Sequence, residues 1–357
     1  MRWRMLVFVL ATTALCLGFG AGVREQSLRE AAQDSGMLIG TAVRPAYLSE
    51  SAYASTLARE FNMLEPEDVL KWEVVHPEPQ SFDFSQADQV VDFATRHGMK
   101  IRGHTLVWHQ QNPKWLTEGK YTSGELAQIL EKHIKTVVGH YRGKVFAWDV
   151  VNEAFDELHP GTLRSTIWRD QPGIGLAGNG SAYIERCFRW AHEADPQALL
   201  FYNEAGAEVV NPKSDAIYAM VRDFRQRGVP IDGVGFQMHV ANLQSDVSSV
   251  SANIKRFTAL GVQIHITEMD VALPVDATGS PRPEDLQKQA DIYREVATAC
   301  LSHPRCTAIQ TWGFTDKYSW IGWHSKKTQG AALPFDRNYG AKPAYQALRD
   351  ALAPRRR

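Results

Sequence analysis

Glu153 and Glu268 each close an apolar, strand-like run: Trp148-Asp149-Val150-Val151-Asn152-Glu153 and Ile264-His265-Ile266-Thr267-Glu268-Met269-Asp270. The runs lie far apart in sequence, so only a fold can bring them together. Two carboxylates facing each other across a cleft are the minimal equipment for cutting a glycosidic bond. The glycosidic oxygen is a poor leaving group and must be protonated as the bond breaks. The oxocarbenium-like centre must be met from the opposite face by a carboxylate. One glutamate therefore needs a raised pKa while the other stays ionised, which calls for two different environments.

A closed barrel of parallel strands supplies the meeting place, because it gathers all its strand ends on one face. Short apolar runs alternate along this chain with longer amphipathic stretches. The strand candidates are Met37–Val43, Phe61–Leu64, Lys100–Trp108, Val145–Val151, Leu199–Tyr202, Val234–Met238, Gln263–Thr267 and Ala308–Gly313. Helix signals lie between them: Ser123-Gly124-Glu125 before Leu126–Tyr141, Ser214-Asp215 before Ala216–Arg227, and Glu284-Asp285 before Leu286–Leu301. Eight strands alternating with helices predict an α/β fold, a single (β/α)8 or TIM barrel. No internal repeat, low-complexity linker or Ser/Pro-rich hinge marks a second domain after residue 25. A barrel over 26–357 exceeds the ~250 residues typical of the fold, so extended βα loops are expected to wall a cleft.

Polar and aromatic residues cluster where the strands should end. They are Glu67, Asp68 and Lys71 after strand 2, His104, Trp108 and Gln111 at strand 3, and Asn152 and Glu153 after strand 4. Asn203 and Glu204 follow strand 5, Gln237 and His239 strand 6, and Glu268 and Asp270 strand 7, with Trp312 and Trp320 at strand 8 and its loop. Burying so many polar groups in a ring is costly unless a ligand uses them.

Composition sets the outer bounds. The 357 residues are 44% hydrophobic and 22% charged, enough to bury a sizeable core. The formal net charge of −1 favours neither nucleic acid nor an anionic membrane, and a neutral substrate fits better. Residues 1–25 read as a secretory signal: Arg2 and Arg4, an apolar run from Met5 to Leu17, then Gly18, Gly20, Ala21 and Gly22. Cleavage would leave no membrane attachment, and the alternative is a retained anchor. The protein is expected to be secreted or periplasmic. In an oxidising compartment Cys300 and Cys306, flanking a turn-like segment, are expected to pair. Cys187 sits on a helical apolar pattern and reads as a buried thiol.

Taken in order, the motifs resemble those of glycoside hydrolase family 10, the retaining endo-β-1,4-xylanases. They are Gly103-His104-Thr105-Leu106-Val107-Trp108-His109, the two glutamate runs, Trp312-Gly313-Phe314-Thr315-Asp316-Lys317-Tyr318-Ser319-Trp320, and the closing Phe335–Tyr339 and Lys342–Tyr345. The resemblance covers the chain after the signal. It implies Glu153 as general acid/base and Glu268 as nucleophile. Asn152, Gln237, His239 and Asp270 support them: Asn152 bonds the sugar 2-hydroxyl, and His239 with Asp270 forms a polar chain to Glu268. It implies Glu67, Asp68, Lys71, His104, Trp108 and Gln111 on the glycone side and counts Asn203 among the substrate-binding residues. Trp312 and Trp320 become a wall near C5 that admits xylose and disfavours glucose. Xylan and xylo-oligosaccharides are the implied partners of a monomer. Two departures stand out. Asp68 replaces the family's usual Asn and adds a charge able to pair with Lys71. Ala205-Gly206 follows Glu204 where the family carries an aromatic.

No His-Glu-x-x-His spacing, cysteine cluster or Gly-rich phosphate loop appears, so no metal or cofactor is expected in catalysis, with a surface-loop calcium left open. Two rival readings remain: a retaining β-1,4-glucanase or cellulase on the same barrel, and a non-catalytic polysaccharide-binding barrel. The tryptophan wall argues against the first. Retention of both glutamates argues against the second.

Overall fold

The structure is a computed structural model that describes residues 25–241, 243 and 249–353. The expected signal lies outside them except for Glu25. Eight strands form the barrel: β1 (Leu38–Val43), β2 (Met63–Pro66), β3 (Lys100–Gly103), β4 (Ala147–Asn152), β5 (Leu199–Glu204), β6 (Gly233–Phe236), β7 (Gln263–Val271) and β8 (Cys306–Thr311). Each pairs in parallel with its sequence neighbours, and β8 pairs with β1, which closes the sheet. Among the described residues nine longer helices accompany the strands. They are α1 (Leu28–Ser35), α2 (Ser51–Glu60), α3 (Ser85–Arg96), α4 (Ser123–His140), α5 (Ala182–Ala194), α6 (Pro212–Gln226), α7 (Val250–Thr258), α8 (Pro283–Leu301) and α9 (Pro343–Leu352).

The three signalled helices start on the expected signals or one or two residues before them. Thr122 caps α4 and Asn211 caps α6, each in a reciprocal box with the residue three positions on, Glu125 and Ser214. Pro283 opens α8, where its missing N–H costs nothing.

Two strands differ usefully from expectation. The third was expected to reach Trp108 but leaves the ladder at Gly103. A side chain on Gly103 would collide with the Trp148 ring of β4, so only glycine lets β4 turn that ring inward. The chain beyond still shadows β4, with Leu106 N–H donating to the Asp149 carbonyl (3.0 Å) and Asn152 N–H to the Val107 carbonyl (2.9 Å). The seventh strand runs four residues past Thr267. It is extended by pairing with the short strand His239–Val240, which sets His239 beside Asp270. Glu268 therefore sits inside a strand, whereas Glu153 lies just past the end of one.

Cys300 and Cys306 form a disulfide between α8 and β8, as expected, and Cys187 is buried in α5.

Candidate active site

Glu268 is only 4% exposed, and both carboxylate oxygens are engaged. Asn203 Nδ2 donates to Oε1 (2.7 Å), and His239 Nε2 lies 3.2 Å from Oε2. The other ring nitrogen of His239 pairs with Asp270 at 3.0 Å. Burial alone would drive His239 towards its neutral form. Asp270 and Glu268 outweigh it and raise the imidazole pKa well above its usual value. The expected polar chain thus exists, and its middle member is a cation. Trp320 extends it, its Nε1 donating to Asp270 (2.8 Å) while its ring lies edge-on to His239.

Glu153 takes a left-handed backbone conformation (φ 53°) at the first position beyond β4. A non-glycine residue there is strained and needs its surroundings to hold it. The restraint is visible on the far side of the strand ends. Tyr202 Oη accepts from Ala154 N–H (3.0 Å), and Glu204 accepts from Phe155 N–H (3.2 Å) and from Tyr202 Oη (2.5 Å). Lys213, at the start of α6, completes this buried cluster with a 2.9 Å ion pair to Glu204. Burial pushes the Glu204 pKa up to about 7 even with Lys213 pulling the other way.

The Glu153 carboxylate accepts from Trp108 Nε1 (2.8 Å) and Gln237 Nε2 (2.9 Å). Burial pushes its pKa up, but the Gln237 and Trp108 donors, together with the nearby His109 and His104, more than reverse this. The group lies below the ordinary glutamate range. This corrects the expectation of a raised value in the open cleft: the acid role requires a proton that the unliganded surroundings do not favour.

The two glutamates are tied together by amides. Asn203 Nδ2 bridges Glu268 and Asn152 Oδ1 (2.8 Å), and Gln237 Nε2 reaches Asn152 Oδ1 at 3.3 Å as well as Glu153. Thr267 Oγ1 donates to Asn203 Oδ1 (2.7 Å) and fixes which way that amide faces. A side chain at Gly235 would strike Asn203 Oδ1, so this glycine makes the amide bridge possible.

On the expected glycone side, Arg44 bridges Glu67 (2.8 Å) and Asp68 (2.9 Å), and Lys71 lies 3.4 Å from Asp68. The departure at Asp68 is therefore neutralised twice. Lys71 Nζ also sits over the Trp108 and Trp312 rings, 4.9 and 5.6 Å from their centroids. Trp312 meets His104 edge-on, and Gln111 is half-buried with φ 49°.

The chain matches glycosyl hydrolase family 10 over residues 27–351. It belongs to that family. "Endo-1,4-beta-xylanase B" of Thermotoga neapolitana is 43% identical over 334 residues, covering 93% of each chain. "Beta-1,4-xylanase" of Dictyoglomus thermophilum is 39% identical, covering 96% of this chain and 97% of its own. The crystal structure of xylanase 10B from Thermotoga petrophila in complex with xylobiose superposes with a TM-score of 0.86 at 43% identity. It covers 92% of this chain and 98% of that one.

This family 10 barrel brings Glu153, Glu268, Asn152, Gln237, His239 and Asp270 into one bonded group at the strand ends. Asn203, expected among the substrate-binding residues, is fully buried with its amide bonded to Asn152, Glu268 and Thr267, so it positions the pair. Trp108 does more than expected, since its indole N–H clamps Glu153. Arg44 was missed, although it directly follows β1 and the strand-end rule extended to that strand finds it.

Beneath the pair lies a charged layer also missed from sequence. Arg102 is fully buried, paired with Asp149 and with Glu65 (3.2 Å), and its Nη1 meets His265 Nδ1 at 2.7 Å. Burial and the guanidinium hold the His265 pKa well below its usual value, so the ring is a neutral acceptor. Glu65, His104 and Asp149 form a grouping close enough to ligate a metal. Arg102 already stands as a cation between Asp149 and Glu65, and burial pushes the Glu65 pKa up to about 8.

Proposed function

We propose that this chain is a secreted or periplasmic endo-1,4-β-xylanase that hydrolyses internal bonds of xylan with retention. The observation that carries the reading is the pair of strand-end carboxylates, one held by a cation and one by neutral donors, joined through Asn203, Asn152 and Gln237. Glu268 is the nucleophile. Its attack forms an α-glycosyl ester, with His239 and Asn203 holding the oxygens in line. Glu153 protonates the leaving oxygen and then, as base, activates water.

The proton on Glu153 comes with substrate. A bound chain strips water from the cleft and offers an acceptor oxygen, which favours the neutral acid. Both hydrogen bonds that Asn152 makes use its amide oxygen, which leaves its NH2 as the donor for the sugar 2-hydroxyl. Trp312 and Trp320 act as the wall at C5. Excluding one hydroxymethyl group is worth roughly 1–3 kcal/mol, so xylan should be preferred but not exclusive.

Reducing-end release on xylan and on carboxymethylcellulose, run side by side, tests the substrate. Early-time proton NMR of xylo-oligosaccharide hydrolysis tests the mechanism. The β-anomer should appear first, with α growing in by mutarotation. An α-anomer at the start would require water between the carboxylates and would overturn the role given to Glu268.

A further inference from the structure

A groove of about 970 Å³ lies beside the Trp320 wall, built from the loop after β7 and the long loop after β8. Trp323 lines it and is 84% exposed, an unusual cost for so large an apolar ring with nothing packed on it. Its position is set by a single helical turn, Ile321–His324. Trp320, at the head of that turn, faces His239 and Asp270 in the cleft. Three residues on, Trp323 belongs to the groove. One short element thus carries an aromatic for each of two adjoining surfaces.

The rest of the lining supplies what a sugar needs beside a ring face. The side chains of Lys327, Arg337 and Asn338 make no hydrogen bond or ion pair among the described residues, so their donors are free. The nearby carboxylates are already committed: Asp276 and Asp336 each accept backbone N–H groups of their own turns, and Asp316 pairs with Lys342 at 2.9 Å. Cations and carboxylates nearly balance along the lining, which favours a neutral ligand over a polyanion. A flat exposed indole flanked by unspent donors, in a groove this long, matches the C–H face and hydroxyl rim of consecutive pyranoses.

We propose that this groove is a second, non-catalytic binding site for a xylan chain, with Trp323 as its stacking platform. The proposal rests on the xylanase reading, which names the polymer available to it. Its use is mechanical. A polymer gripped beside the cleft raises the local concentration of cleavable chain there, without a separate binding module.

The test blocks the cleft and asks whether xylan is still held. The enzyme is inactivated with a 2-deoxy-2-fluoro-xylobioside and then run on affinity gels containing soluble xylan. Blocked wild type should be retarded. Blocked Trp323→Ala should lose roughly five- to ten-fold in affinity, the worth of one aromatic stack, and Trp323→Phe should recover most of it. Unblocked Trp323→Ala should keep its kcat/KM on an aryl xylobioside and lose turnover on insoluble xylan. Equal retardation of the blocked wild type and blocked Trp323→Ala would overturn the proposal, even with xylan hydrolysis intact. Failure of wild type to hydrolyse xylan or to accept the inactivator would instead overturn the xylanase reading.

Discussion

The ends of β4 and β7 carry the same functional group in opposite settings. Glu268 lies within a strand, almost fully buried, with a cationic His239 against one oxygen and Asp270 behind it. Glu153 lies past a strand, in a strained left-handed conformation, and its carboxylate accepts from the neutral N–H groups of Trp108 and Gln237. Asn203 and the imidazolium fix both oxygens of Glu268 in one orientation, whereas the two N–H donors on Glu153 can rotate or lengthen. One carboxylate is held in place for attack, and the other is free to turn towards a leaving oxygen.

The largest expected effect breaks the charged side. Glu268→Gln should abolish turnover on every substrate, by roughly 10⁴–10⁶ in kcat, because no later step exists without the nucleophile. Steady-state rates on xylan and on an activated aryl xyloside should fall together. A large loss confined to xylan would mean the two roles are exchanged.

Breaking the neutral side should discriminate between substrates. Glu153→Ala should cost about 10²–10⁴ on xylan, the span of general acid–base catalysis. Glycosylation by xylosides whose leaving group needs no proton should be nearly spared. Added azide should restore turnover and yield a β-glycosyl azide. Wild-type activity of this variant on xylan would remove Glu153 from the mechanism.

The comparison is sharpened by the supports. His239→Gln keeps a donor near Glu268 but removes the cation, and should lower kcat by roughly 10–10³, the range for losing one electrostatic stabiliser. Gln237→Ala frees one oxygen of Glu153 and should raise its pKa, moving the alkaline limb of the kcat/KM profile, where the acid loses its proton, to higher pH. An unmoved limb would show that Gln237 does not tune the acid.

The smallest effect concerns stability away from the site. Burial lowers His76 from 6.5 to about 4 and drives His133, stacked on Trp72, well below its usual range. Both are neutral when folded and gain protons on unfolding below the ordinary histidine value. Their contribution is complete above about pH 6.5 and is lost as pH falls towards 4. Urea unfolding across that window should show stability declining with acid, and His133→Phe should flatten the decline.

The strand ends were legible in sequence because parallel strands buried on both faces are continuous apolar runs, and each ends on the polar residue it presents. That pattern located Glu153, Glu268, His239 and Asp270. It could not say that Asn203 is buried with its amide bridging Asn152 and Glu268, because that depends on the room Gly235 leaves beside it. Nor could it find the ion pairs of Arg102, since an arginine within the β3 run reads as an exposed interruption until three other strands are seen to surround it. The short third strand was hidden for a similar reason. His104 to Trp108 keeps an apolar rhythm but bonds to β4 as a shifted segment outside the ladder.

The pairing of β8 with β1 joins the two strands of the barrel that lie farthest apart in the chain, Leu38 opposite Ala308 and Thr41 opposite Thr311. Both glutamates are synthesised well before that seam can be made. A nascent chain emerging from the ribosome therefore carries its reactive groups with no ring to aim them, and contacts of such long sequence separation form late. Hydrolytic activity in a growing or truncated chain should switch on abruptly once Thr311 and the segment docking it are free to fold, which makes turnover itself a reporter of when the seam zips shut.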